Sequence, residues 1–228
     1  MQKIVAISGA AGGLGPTVAR AFLAAGASLA VAGRSADKLD QLLDSLEVPA
    51  DRRLSSGVDL GVPKGAQAWA DAVLAKFGRV DVVLHLVGGY KGGSSVTDIS
   101  LSDWNDLQGM LVSTTLNVVR AFAGTLKKGG GRFIGVTSPK AQMPTAKSAI
   151  YSMAKAASDA LVLALADELR GTGSTANLIM VDSIGSDPQK PYGKSTPPGE
   201  IAAAMLFLCS DQAATINGVR LPLTGKPG

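Results

Sequence analysis

The residues best placed to move a proton are Tyr151 and Lys155, four positions apart, with Ser138 thirteen positions before the tyrosine. On one helix such a pair projects to the same side. An ammonium beside a phenol favours phenolate, so Lys155 is expected to draw the Tyr151 pKa down from about 10 toward working pH. Ser138 follows the apolar run 133–137 and precedes Pro139, which biases it toward extended backbone at the carboxyl end of a strand. From there its hydroxyl is expected to meet Tyr151 over a carbonyl oxygen. Taken alone, a Tyr-x-x-x-Lys pair is an ordinary helix-surface pairing of modest energy; what lies upstream gives it meaning.

Near the start, the apolar run 3–7 leads into Ser8-Gly9-Ala10-Ala11-Gly12-Gly13-Leu14-Gly15. A glycine at a strand end permits a tight turn, and later ones let backbone N–H groups approach a diphosphate at the positive end of the next helix. Gly9, Gly13 and Gly15 suit these tasks, although Gly-x-x-x-Gly-x-Gly differs from the commoner Gly-x-Gly-x-x-Gly spacing. A glycine-rich turn holding nothing is the alternative. The second strand ends Val31-Ala32-Gly33-Arg34-Ser35, without the carboxylate that often meets ribose hydroxyls in NAD sites. Guanidinium geometry suits a bidentate phosphate contact and Ser35 adds a donor, so NADP(H) is favoured over NAD(H). The alternatives are a solvated Arg34 and a Ser35 that only caps a helix.

The elements needed to position these groups are legible as alternation. Short β-branched runs at 4–8, 29–32, 53–58, 82–87, 132–137, 177–181 and 220–223 are predicted strands. Alanine- and leucine-rich stretches at 15–25, 35–46, 63–77, 101–126, 149–170 and 198–208 are predicted helices. Right-handed crossovers then give an α/β fold, a Rossmann-type doubly wound parallel sheet with helices on both faces. The proline-rich stretch 183–198 reads as a surface loop near the strands' carboxyl ends.

With 228 residues, 46% hydrophobic and 18% charged, one domain spanning 1–228 is expected. Absence of a leader pattern or of an uninterrupted apolar run near ~20 residues points to a cytoplasmic chain without a membrane partner. Cys209 and His85 are the only residues of their types, which removes intrachain disulfides and argues against a His/Cys metal site. The net charge of +4 is scattered and not interleaved with aromatics, so a nucleic-acid partner is not expected. A serine hydrolase is excluded because no Gly-x-Ser-x-Gly elbow surrounds Ser138.

On these residues the chain resembles the short-chain dehydrogenase/reductase family, whose members pair a Thr-Gly-x-x-x-Gly-Ile-Gly loop with a Ser and a Tyr-x-x-x-Lys. The resemblance implies an NAD(P)-dependent oxidoreductase passing hydride between the cofactor and a small carbonyl or alcohol substrate. In that picture Tyr151 is the general acid/base, Lys155 binds the nicotinamide ribose and Ser138 orients the carbonyl. It further implies cofactor contacts from Gly9, Gly13, Leu14, Gly15, Asp59, Leu60, Val87, Gly88 and Ile184, with Asp59 on the adenine. A homodimer or homotetramer is implied too, consistent with apolar residues on more than one side of the helices holding Leu111 and Tyr151.

Four departures from the family stand out. His85-Leu86-Val87-Gly88 replaces Asn-Asn-Ala-Gly; His85 reads as a satisfied buried residue, the alternative being a catalyst, and its pKa range would allow a pH-sensitive element. Leu111 falls where the family's catalytic asparagine is expected, and an apolar side chain cannot hold the water that links the lysine to solvent. Thr114 and Thr115 are possible substitutes, and an alignment slip would make Asn117 the counterpart. Asp182 replaces a glycine close to the expected cofactor, and Ser186 stands in for a threonine hydroxyl. A protein that binds the cofactor without efficient turnover, a sensor or scaffold, is the alternative these departures support.

Overall fold

The computed structural model describes residues 3–185 and 195–223; Ser186 and most of the 183–198 stretch lie outside them. Six parallel strands, β1 (Ile4–Ser8), β2 (Ser28–Gly33), β3 (Arg53–Gly57), β4 (Val82–His85), β5 (Arg132–Thr137) and β6 (Thr175–Met180), are joined by helical crossovers. A two-residue parallel ladder follows, β7 (Ser183–Ile184) with β8 (Ser195–Thr196), and β9 (Arg220–Pro222) completes the main sheet beside β6. The order β3-β2-β1-β4-β5-β6-β9 reverses direction between β1 and β4. In a doubly wound sheet that reversal opens a crevice at the carboxyl ends of the strands, where ligands bind.

Side-chain alternation divides the core. Val5, Ile7, Leu29 and Val31 face α1 (Gly15–Ala24), α2 (Ala36–Ser45) and α7 (Pro198–Leu208). Ile4, Ala6, Ala30 and Ala32 face the opposite layer, α3 (Pro63–Phe77), α5 (Thr114–Leu126) and α6 (Ala149–Glu168). Both faces are covered, which is why the strands read as continuous apolar runs. The alanines on the second face leave room for bulk from the helices: Trp69 and Phe122 meet edge to face at 4.9 Å, both fully buried. Helix ends follow local chemistry, as in α3, which opens on Pro63 and stops at Gly78 with φ +74°.

The single helix predicted over 101–126 is three pieces: α4 (Leu101–Leu107), a π-helical turn (Gln108–Ser113) and α5. A π turn widens the ring of backbone hydrogen bonds. Here the Thr114 and Thr115 hydroxyls fold back onto the carbonyls of Met110 and Leu111, supplying donors at the disturbed turn. The 20-residue α6 is long and apolar enough by composition to cross a bilayer, but half of its apolar stretch is buried against the molecule. At the far end of α7, burial pushes the Cys209 thiol up to about 12, against the opposing charges of Lys3 and Arg132.

Candidate active site

Tyr151, Lys155 and Ser138 are brought together by α6 and the carboxyl end of β5. Thr145 and Ser148 form a capping box just before α6, with Ser148 Oγ accepting the Thr145 N–H at 3.0 Å, which fixes where the helix starts and so where Tyr151 points. The Ser138 side chain, on a residue 2% exposed, lies close enough to the phenol to favour its ionised form, and its Oγ accepts the Lys140 N–H at 3.3 Å. Lys155 lies one turn deeper, buried, with Nζ donating to the Val136 carbonyl at 2.9 Å. The ring of Tyr90, from the segment after β4, meets that of Tyr151 at 5.0 Å and 62°. Lys91 ties this segment to α4 through Asp103 and Asp106 at 2.7 and 2.6 Å.

The electrostatics correct the expectation for Tyr151. Its pKa is raised, because burial of the phenolate outweighs the hydrogen bond from Ser138 that favours it. Lys155 supplies no compensating pull: its own burial brings it down to about 8, against the opposing attraction of Asp159. The phenol therefore keeps its proton at neutral pH.

The glycine loop lies at the switch point. Gly9 has φ +74°, and a Cβ there would sit 2.9 Å from the Val87 nitrogen, so β1 turns hard against the segment after β4. A Cβ on Gly15 would overlap the Ala10 carbonyl oxygen at 1.9 Å, which closes the loop onto α1. Gly13, by contrast, faces open space. The N–H groups of Gly13 and Leu14 find no backbone acceptor among the described residues, and both lie at the positive end of α1. Free donors, a helix N-terminus and an open glycine face together fit a diphosphate.

The remaining predicted contacts are distributed around that loop. Arg34 is exposed and without an ion pair among the described residues, at the end of β2. Ser35 caps α2, its Oγ accepting the Lys38 N–H at 3.4 Å, which leaves its hydroxyl proton free to donate. Asp59 is exposed, with Oδ1 accepting from the Gly61 N–H at 2.8 Å, whereas the Leu60 side chain is buried in the core and its carbonyl is taken by Asn117 at 3.0 Å. Val87 is half-buried and Gly88 exposed at the end of the β4 segment, and Ile184 is exposed on β7. Asp182 pairs with Lys140 at 2.9 Å, so its charge is answered locally. Lys140 and Tyr90 were not singled out from sequence; Lys140 stands two residues beyond Ser138, a spacing that could have pointed to it.

Comparison with known proteins bears on this arrangement directly. The family model for short chain dehydrogenases matches residues 3–196. The chain belongs to the short-chain dehydrogenase family. It is 30% identical to the D-threitol dehydrogenase of Mycolicibacterium smegmatis, over 98% of this chain and 92% of that protein. It is 29% identical to the meso-2,3-butanediol dehydrogenase of Serratia marcescens, over 98% and 94% respectively. A short-chain dehydrogenase/reductase structure from Mycobacterium ulcerans superimposes with a TM-score of 0.89 at 26% identity, covering 98% of this chain and 89% of that one. The protein is accordingly an oxidoreductase of this family.

Within this short-chain dehydrogenase, Leu111 rather than Asn117 faces the Tyr151 helix: it packs with Leu107, Ile150 and Ala154, against Tyr151. Asn117 is occupied with Leu60, which argues against a slipped alignment. Thr115 Oγ1 donates to the Leu111 carbonyl at 2.6 Å, and Ser158 Oγ lies 3.1 Å from the same oxygen. With the Thr115 proton so used, His85 Nε2–H is the donor in its 3.0 Å contact to Thr115, and Nδ1 accepts from Ser8 Oγ at 2.7 Å. Both ring nitrogens are satisfied. Burial, then the Lys155 charge, lowers His85 to about 3. His85 is thus neutral and fully partnered in the folded protein, a buried structural residue.

Because the folded-state pKa of His85 lies below its unfolded value of 6.5, the unfolded chain binds the extra proton between about 3 and 6.5. The share of stability owed to His85 is fully present above 6.5 and is lost as pH falls through that window. His85→Gln should flatten this acid limb in urea unfolding, while the wild-type imidazole stays neutral by NMR at pH 5; an imidazole titrating near 6.5 in the folded protein would refute the assignment.

Proposed function

We propose that this chain transfers hydride between NADP(H) and a small alcohol or carbonyl compound, with Tyr151 carrying the proton. The observation behind the reading is the convergence of a protonated phenol, the Ser138 hydroxyl and the buried Lys155 ammonium at the strand ends that also hold the glycine loop. A nicotinamide dinucleotide would supply or accept the hydride. Gly9, Gly13, Leu14 and Gly15 would hold its diphosphate, Arg34 and Ser35 the 2′-phosphate, and Asp59 with the Leu60 backbone the adenine. Val87, Gly88, Lys155 and Ile184 would border the nicotinamide riboside.

In reduction Ser138 donates to the substrate oxygen and holds it against Tyr151 Oη, which gives up its proton as the carbonyl carbon receives hydride. In oxidation the phenolate removes the hydroxyl proton and the carbon loses hydride. A raised tyrosine pKa keeps the acid form available at neutral pH, which favours the reductive half. Relatives named for threitol and butanediol support a small hydroxylated substrate. The competing reading, cofactor binding without turnover, draws on Leu111 and on its capped carbonyl.

Three measurements decide among these. Tyr151→Phe should reduce turnover by about 10²- to 10⁴-fold with cofactor affinity retained; activity left intact would remove the tyrosine from its role, and wild-type protein that binds NADPH without oxidising it across ketones, aldehydes and quinones would favour the competing reading. NADPH should bind more tightly than NADH, and Arg34→Ala should erase the difference; equal affinities in the wild type would overturn the NADP(H) assignment. Exposed Met153, Ala156, Ala157, Ala160 and Ala164 on α6, beside exposed Leu116 on α5, give an apolar face suited to self-association. Light scattering should report a dimer or tetramer, and a monomer at working concentration would count against that use of the face.

A further inference from the structure

Asp159 stands one turn beyond Lys155 on α6, and the two share a small cavity with His85, Leu111, Thr115 and Ser158. It has about the room of one water molecule. The Asp159 side chain is 1% exposed. Its Oδ2 accepts from Arg220 Nε at 2.7 Å, while Oδ1 has no partner among the described residues. A buried carboxylate oxygen without a donor is costly, so the unpaired Oδ1 calls for an explanation.

The other polar groups lining the cavity are committed. Thr115 gives its proton to the Leu111 carbonyl, and Ser158 Oγ has only one proton, with the Leu111 and Ala154 carbonyls at 3.1 and 3.0 Å as acceptors. His85 is engaged through both nitrogens. Among the described residues of the lining, Lys155 alone retains donors, having three and placing one on Val136. The Leu111 carbonyl already accepts from Thr115 and shares the Ser158 proton with the Ala154 carbonyl.

We propose that Asp159 is the positioning residue for Lys155: one water in this cavity joins Nζ to Oδ1, fixing the ammonium and keeping it charged in place of the water that Leu111 no longer holds. This rests on the proposed role of Lys155 beside Tyr151. The titratable or charged groups around the pair are His85 from β4, which is neutral, Tyr151 on the same helix, and Arg220 from β9, which neutralises the far side of Asp159.

The test is NMR titration of cofactor-free protein carrying 13Cε-labelled lysine, with the Lys155 signal assigned from a Lys155→Arg spectrum. The wild-type midpoint should lie near 8. Asp159→Asn should lower it by about one pH unit or more, and Asp159→Glu should restore it; an unmoved midpoint in Asp159→Asn overturns the proposal. Should Asp159→Asn fail to fold, a high-resolution crystal structure of the wild type decides: an ordered water within hydrogen-bond distance of both Nζ and Oδ1 supports the bridge, and its absence refutes it. Neither readout uses turnover, so a failure here leaves the oxidoreductase reading standing.

Discussion

An ammonium group taken out of water carries an effective penalty of several kcal/mol even after the surroundings relax, and the buried Lys155 makes that penalty the constraint around which this end of the molecule is arranged. Its depressed pKa of about 8 records the part of the penalty left unanswered. What answers the rest is fixed backbone and fixed charge: the Val136 carbonyl from β5 and the Asp159 carboxylate from α6. The tyrosine one turn away inherits the same dry surroundings, which is why its proton is held and not shed.

That arrangement is possible because the two layers of the fold are packed differently. Small side chains on one face of β1 and β2 let large helical residues approach the sheet, bringing α3, α5 and α6 onto it. On the other face larger strand residues meet α1, α2 and α7. The glycine loop joins the layers at the switch point, and its backbone approaches are so close that a methyl group at Gly15 would coincide with the Ala10 carbonyl. Beside that close contact, Gly13 faces open space and the Gly13 and Leu14 N–H groups have no backbone acceptor among the described residues.

Most of this architecture was legible. Strand and helix runs alternate in sequence because both sheet faces are covered, and Pro63–Phe77 and Pro198–Leu208 coincide with their predicted spans because proline opens both helices. Ser138, Tyr151 and Lys155 were recoverable because strand end, helical spacing and chemistry agree. The π turn was hidden because Gln108 to Ser113 continues the helical run, although Gly109 inside it and the hydroxyls of Thr114 and Thr115 after it mark the place. The direction of the Tyr151 shift was misjudged because spacing reports proximity to a charge and says nothing of desolvation, which here is the larger effect. Lys140 with Asp182, and Asp159 with Arg220, join residues 42 and 61 positions apart, contacts that no local pattern encodes.

The lone sulfhydryl, tucked at the C-terminal end of α7 and holding its proton until about pH 12, has a practical corollary. Thiolate is the species that alkylates and exchanges, so maleimide or spin-label chemistry near neutrality would pass this position by. A reporter cysteine introduced beside Tyr90 could be modified selectively in the native background, with no prior removal of Cys209 and no disturbance of the packing beneath β1.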